Sequence, residues 1–552
     1  MVRRCDPWSF RRRLLYELLQ SLLPLLALYI LKLLIDSVTT NNFQFSFFTF
    51  HPSPFTLLIA LCVVFLFNRI VSALSSVNND VLGQRLIDHV SDLLQHQSAR
   101  LDMQYYDTPA YHDTLHRAQQ EASYRPLQIL SNFMALGGSM VSIIGVVAMM
   151  ITASWWVIVV MVAAVVPGFA VRLYKARRIY RFRRENTQLY RRTSYYSAIL
   201  TARDFAKELR TFNLAPLFRG RFVEVRKELV SHLLSISRRL GMLEILCAFI
   251  EAAAMFAIVW LLLKEAFAGA ITIGTFVMLF EAFRRGQGYL QNLVGGIAGL
   301  YDNRLFIGNL FEFLQLEPTI VDPEEPAEVP EEITEVEFRG VTFRYPDMER
   351  DVLKDFSLSA RKGDITRIDG HNGFGKSTLV KLLLRLYDPT EGAVFVNGID
   401  IRRFQPRQLR ERMGVLFQDF ARFYCTMGEN IAFGHSASDL QPPTSDLQPP
   451  TSDLQPPTSD LSRALELSGA DKVADTLPHG TDTLLGRLFD GGSELSMGQW
   501  QRVALARALV SDAPILILDE PSAWLDHDAR QHLDNTLQKL KDDKILLIIT
   551  HS

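Results

Sequence analysis

Apolar positions are spread very unevenly along the 552 residues. Before residue 305 several stretches approach the ~20 apolar residues that cross a ~30 Å hydrocarbon layer. They predict six spans: Leu14–Ile35, Phe55–Leu74, Ile129–Ala153, Trp155–Val171, Met242–Leu263 and Ile273–Leu300. The fourth is short, and the sixth carries polar residues. Long polar stretches, Ser75–Pro126 and Tyr174–Arg238, continue the second and fourth spans. As helices, at ~1.5 Å per residue, they would project well past the headgroups. Glu317–Glu335, rich in proline and acid, cannot bury a core and reads as a connector. The pattern divides the chain into a helical membrane domain at 1–316, a linker at 317–336 and a second domain at 337–552. There the apolar run Ile515–Leu518 reads as a buried parallel strand.

Charge sharpens this picture. Arg3, Arg4 and Arg11 to Arg13 precede the first span, and Lys175, Arg177, Arg178, Arg181, Arg183 and Arg184 follow the fourth. After the first, third and fifth spans only Lys264 is evident. The positive-inside rule then puts the N-terminus and the second domain on the cytoplasmic side of the cytoplasmic membrane, with the bilayer as partner. A cleaved signal peptide is disfavoured by the length of the first apolar run and the lack of a small-residue cleavage site. Formal net charge is −2, so no basic excess points to nucleic acid. Cys5, Cys62, Cys247 and Cys425 are scattered, with neither a disulfide framework nor zinc spacing.

The chemistry is concentrated in the second domain. Gly370-His-Asn-Gly-Phe-Gly-Lys-Ser-Thr378 is a glycine-rich turn opening a helix. Bare N–H groups around Gly370, Asn372, Gly373, Gly375 and Thr378 can approach phosphates, Lys376 adds charge and Ser377 offers a hydroxyl to Mg²⁺. Asp519, at the end of the apolar run, presents a carboxylate beside the phosphates to hold Mg²⁺ through water, and Glu520 follows it. Downstream of the turn come Leu495-Ser-Met-Gly-Gln499 and His551. Together these motifs resemble the ATP-binding cassette (ABC) family. The resemblance implies an α/β P-loop NTPase domain that binds ATP and Mg²⁺. It makes Glu520 the general base, His551 the γ-phosphate sensor and Gln418 the residue touching Mg²⁺ and water. Tyr345 becomes the adenine-stacking aromatic, a role in which a flat ring accepts any base at little hydrogen-bond cost. Ser496, Gly498 and Gln499 are the signature that closes over ATP held by another copy, and Asp526 lies in the loop crossing that interface.

Six spans before one cassette resemble an exporter-type half-transporter, similar to bacterial peptide, lantibiotic and multidrug exporters. The resemblance implies ATP-driven export of a peptide, lipid or drug-like substrate by a homodimer. The alternatives are half of a heterodimer, or an ATP-binding regulatory membrane protein with little hydrolysis. The spans exclude a soluble ABC protein, and no peptidase domain is expected before Leu14. Tyr105-Tyr-Asp-Thr-Pro109 with Tyr111 to Ala118 resembles the first coupling helix, and Ser197 to Leu209 the second. In the spans, Glu251, Glu281, Arg284 and Arg285 either line a substrate route or form an internal Glu281–Arg pair; Glu244 shares the face of Glu251.

Several features depart from the family. Met497 replaces the first signature glycine, Phe374 stands inside the phosphate loop, and Arg367 and Asp369 lie on Ile365–Asp369, where a central apolar strand is expected. The chain stops just after His551, which implies a C-terminally truncated cassette. From Asp439 to Ser459 the heptapeptide Asp-Leu-Gln-Pro-Pro-Thr-Ser occurs three times. Its paired prolines rule out a coiled coil, and it reads as a duplicated loop insertion, with a partner-binding motif as alternative.

Overall fold

The computed structural model describes residues 5–39, 53–108, 122, 124–151, 155–346, 348–370, 375–435 and 458–550. The chain forms two compact units, one of Met1–Ala99 with Thr114–Gln315 and one of Arg100–Asp113 with Leu316–Ser552.

The first unit is helical. Its long helices are Pro7–Thr39, Pro54–Arg100, Arg125–Ile151, Trp155–Glu185, Ala215–Phe267 and Ile273–Leu314. The two longest, of 47 and 53 residues, run about 70 and 80 Å at 1.5 Å per residue, well over twice the hydrocarbon thickness. Apolar span and polar extension are therefore one continuous helix in each. Among the described residues five helices, not six, are long and apolar enough to cross a membrane. The helix Ile273–Leu314 falls outside that set because Glu281, Arg284, Arg285 and other polar residues break its apolar run. It packs instead against Arg125–Ile151, Pro7–Thr39 and Trp155–Glu185. Its Met278, Leu279, Ala282 and Phe283 join Leu25, Val146, Met150, Ile258 and Leu262 in one buried cluster. Small residues permit the close approach: a Cβ on Gly296 would lie 2.8 Å from Leu136 Cγ.

The polar extension after the fourth span is not one helix. It breaks at Asn186, continues as Thr187–Thr201, and turns through Arg203–Phe205 into the short helix Ala206–Thr211. This tip coincides with the second expected coupling segment. Of the first, Met103–Asp107 is helical, and Pro109 to Ala118 lie outside the described residues.

The second unit carries two sheets. Glu335–Phe343 (β1), Leu353–Arg361 (β2), Glu391–Val396 (β4) and Ile399–Asp400 (β5) form an antiparallel sheet in the order β2-β1-β4-β5. Ile365–Asp369 (β3), Met413–Leu416 (β6), Ile515–Asp519 (β7) and Ile545–Thr550 (β8) form a parallel sheet in the order β3-β8-β7-β6. Every residue of β7 is buried, as expected for an apolar strand covered on both faces. Among the described strands β3 stands at the end of the order, paired with β8, with Arg367 and Asp369 exposed. The connector 317–336 runs along this unit. Thr319 N and Ile320 N donate to Asp102 Oδ2, Ala327 N donates to Arg403 O, and Ile333 is buried in the main core. The heptapeptide repeat up to residue 457 lies outside the described residues.

Candidate functional site

The parallel sheet delivers the phosphate-binding elements to one end. β3 leads to Gly370, residues 371–374 including Asn372, Gly373 and Phe374 lie outside the described set, and the chain resumes at Gly375 before the helix Lys376–Leu383. Gly375 has φ +81°, and a Cβ there would lie 2.9 Å from Leu353 Cδ2 and 3.2 Å from Val352 O. Only glycine enters this left-handed turn without strain. Buried Lys376 folds back, its Nζ donating to Gly370 O at 2.6 Å and Thr550 O at 2.9 Å. Ser377 Oγ donates to Oδ2 of buried Asp519 at 3.1 Å. A hydroxyl beside a buried carboxylate is a hard-oxygen pair of the kind Mg²⁺ prefers.

Glu520, next along, has φ +51°. Such a conformation is uncommon for a residue with a Cβ and is held here from three sides. Its N–H donates to Ile549 O at 3.0 Å, its carbonyl accepts from Gln501 Nε2 at 3.0 Å, and its Oε1 accepts from Gln418 Nε2 at 2.8 Å. Gln501 also accepts from Trp524 N at 3.1 Å, so one glutamine ties the turn after β7 to the helix Met497–Val510. Arg507 on that helix stacks 4.8 Å from the Phe423 ring centroid and donates to Asn430 O and Ala421 O at 2.7 and 3.0 Å. Burial lowers its pKa to about 10.

Tyr345 completes the wall of a cavity of about 1010 Å³ lined also by Val352, Gly375, Lys376, Ser377, Thr378, Gln418, Asp519 and Glu520. Its Oη lies 3.0 Å from Thr378 Oγ1, and its ring packs edge-on against Phe343 and Tyr387. Behind it Asp107 Oδ2 accepts from Tyr387 Oη at 2.5 Å and Lys381 Nζ at 2.9 Å. Burial and the Asp107 bond push the Tyr387 pKa well up, so the phenol stays protonated. Burial opposes the Lys381 charge, but its bonds to Asp107 and Tyr345 outweigh this and leave its pKa raised.

The signature residues do not line this cavity. Ser496 caps Met497–Val510, accepting from Gln499 N at 3.3 Å while Gln499 Oε1 accepts from Ser496 N at 2.8 Å. Met497, the departure, is 37% exposed at the first helical position. Gly498 is constrained: a Cβ would lie 2.6 Å from Trp524 O. Asp526 caps His527–Leu540 and pairs with Arg502 at 3.4 Å. His551 lies outside the described residues. Sequence reading missed Lys381, Tyr387 and Gln501, and had Asp107 only as part of the expected coupling segment. The one signal for Tyr387 was its place eleven residues after Lys376, which does not by itself set a Tyr apart from a core aromatic.

A buried Lys, a Ser–Asp pair, a Gln–Glu pair and an aromatic wall around one cavity define an ATP-binding cassette, here in a chain that also carries a bundle of long apolar helices. Comparison makes this specific. Residues 353–523 match the ABC transporter family model. The subtilin transport ATP-binding protein SpaT of Bacillus subtilis is 28% identical over 98% of this chain and 84% of its own length. The nisin transport ATP-binding protein NisT of Lactococcus lactis is 26% identical, covering 96% and 85%. The solved structure of a bacterial Atm1-family ABC exporter with ATP bound superposes with a TM-score of 0.76 at 21% identity, covering all of this chain and 91% of that one. The chain carries an ATP-binding domain of the ABC transporter family and has the fold of an ABC exporter.

Proposed function

We propose that this chain is one half of a dimeric exporter in the cytoplasmic membrane, with its N-terminus and ATP-binding unit in the cytoplasm, driven by ATP hydrolysis. The observation that carries the reading is the incomplete site. Lys376, Ser377, Gln418, Asp519, Glu520 and Tyr345 share one cavity, while Ser496 and Gly498 stand apart from it at the N-terminus of their own helix. A helix N-terminus with free N–H groups favours anions, so the signature end of a second chain would complete the γ-phosphate site. Ser377 and Asp519 would hold Mg²⁺, which when bound neutralises phosphate charge.

Within this chain Lys376 holds the phosphates, Tyr345 stacks the base, and Glu520, steadied by Gln418, accepts a proton from the attacking water. Asn372, Gly373 and His551 are assigned to the same site by their motif positions. The names of SpaT and NisT favour a peptide as cargo. Glu520→Gln tests the core of the proposal. The variant should bind ATP as the unaltered protein does and release almost no phosphate. Equal phosphate release by the two proteins would overturn it.

A further inference from the structure

Gln501 is 3% exposed and does not line the nucleotide cavity, yet both ends of its amide are bonded to the turn that carries Glu520. Its Nε2 donates to Glu520 O at 3.0 Å and its Oε1 accepts from Trp524 N at 3.1 Å. The amide therefore spans the turn from Glu520 to Trp524, which is closed from within by Ala523 N donating to Glu520 O at 3.2 Å. The turn opens on Glu520 at φ +51°, a conformation that a residue with a Cβ keeps only where its surroundings hold it. Ile549 O on β8 holds its N–H, and Gln501 holds its carbonyl from the helix Met497–Val510. Gly498 and Gln501, three apart, share a face of that helix. Both meet residue 524, since a Cβ on Gly498 would lie 2.6 Å from Trp524 O while Gln501 takes Trp524 N. The backbone of the Glu520 turn is thus seated on the end of the helix that carries Ser496 and Gly498.

We propose that Gln501 is a positioning residue for the hydrolytic step. It holds Glu520 in its left-handed conformation, with the carboxylate against Gln418, and makes that conformation depend on the signature end of the same chain. Without the amide, Trp524 N loses its acceptor in a buried place and the backbone of Glu520 can relax toward ordinary angles, carrying the carboxylate away from Gln418. A shift of the helix as Ser496 and Gly498 engage a phosphate reaches Glu520 through this one side chain. Chemistry in this chain's cavity then follows the occupancy of the site that its own signature completes. The inference deepens the proposed function and rests on its reading of Glu520 as the group that takes a proton from water.

The test uses the full chain in nanodiscs, with kcat and KM for ATP taken from phosphate release and ATP affinity from equilibrium binding. Gln501→Leu removes both bonds, whereas Gln501→Glu keeps the shape and the acceptor for Trp524 N and loses the donor to Glu520 O. Each should lower kcat at least about tenfold while KM and ATP affinity stay within about twofold, because Gln501 does not line the cavity. Retained ATP affinity also shows that the cassette of each variant is folded. In a Glu520→Gln background, Gln501→Leu should lower the residual rate no further, whereas a residue that merely supports the fold lowers it again by the same factor. An unaltered kcat in the two variants, or a loss that multiplies fully on that of Glu520→Gln, would overturn the proposal. Phosphate release by Glu520→Gln equal to that of the unaltered protein would sink the reading of Glu520 and this inference with it. A silent Glu520→Gln beside a fully active Gln501→Leu would sink this inference alone.

Discussion

Asp107→Asn tests whether the segment Arg100–Asp113 is fastened to the ATP-binding unit through the side chains behind Tyr345. The amide keeps the shape of the carboxylate and removes its charge, so Lys381 loses its anion and Tyr387 keeps at best a neutral acceptor. The Lys381 and Asp107 side chains are 25% and 35% exposed, so solvent screening holds that pair to under about 1 kcal/mol. The Tyr387 bond, at 2.5 Å with its ring buried, is the larger part; weakening a hydrogen bond to a charged group costs about 1–2 kcal/mol. The sum, about 2 kcal/mol, corresponds to a drop of roughly 4–8 °C in Tm for a domain of this size. Thermal unfolding of the full chain in nanodiscs measures it. A double-mutant cycle with Tyr387→Phe isolates the contact and should return a coupling of about 1 kcal/mol or more. Since Tyr387 buttresses Tyr345, KM for ATP should rise a few-fold with basal kcat unchanged. Strict additivity in the cycle, with an unmoved KM, would refute the reasoning.

Gly498→Ala forces a Cβ against Trp524 O, a backbone atom that cannot rotate away; a loss of about 1–3 kcal/mol in stability is expected, with ATP hydrolysis falling more than ATP binding, and an unchanged Tm with full turnover would contradict it. Asp512 accepts from Lys544 Nζ at 2.9 Å and also pairs with Arg463, bonds that hold its pKa below the ordinary 3.8. A depressed acid stabilises the fold above its unfolded pKa and stops doing so as pH falls through the folded value. The Tm gap between the unaltered protein and Asp512→Asn should therefore be constant at neutral pH and close as pH drops below 3.8; a gap that ignores pH would refute the assignment. Deleting two of the three heptapeptides between Asp439 and Ser459 should leave ATPase activity within about twofold, since the duplicated insertion contains none of the residues assigned to the site; loss of activity would give the repeat a role.

The cassette was legible because its chemistry is local. A glycine turn and an apolar strand ending in acid each state their role within about ten residues, and the cavity brings Lys376, Ser377, Asp519, Glu520, Gln418 and Tyr345 together. Relations between distant segments were not legible. Nothing within the sequence around Asp107 says that its carboxylate meets a lysine and a tyrosine 274 and 280 positions later. For Glu244 the sequence left a shared helix face with Glu251, and packing supplies Lys175 at 2.8 Å instead. The internal alternative, Glu281 paired with Arg284 or Arg285, is present with both: Arg284 Nη2 lies 2.8 Å and Arg285 Nε 3.6 Å from Glu281 Oε2.

The polar strand β3 looks like a weakness of the phosphate loop if it is central to its sheet. Among the described strands β3 pairs with β8 alone, and Arg367 and Asp369, two apart and so on one face, are exposed. Asp369 hydrogen-bonds Thr550 Oγ1 on β8. The parallel register that runs from Ile365 against Leu546 to Asp369 against Thr550 is thereby clamped at its last pair. That clamp fixes Thr550 beside Gly370, and these two residues supply the carbonyls that hold Lys376 Nζ. The residues that seemed to compromise the loop are the ones that position its lysine.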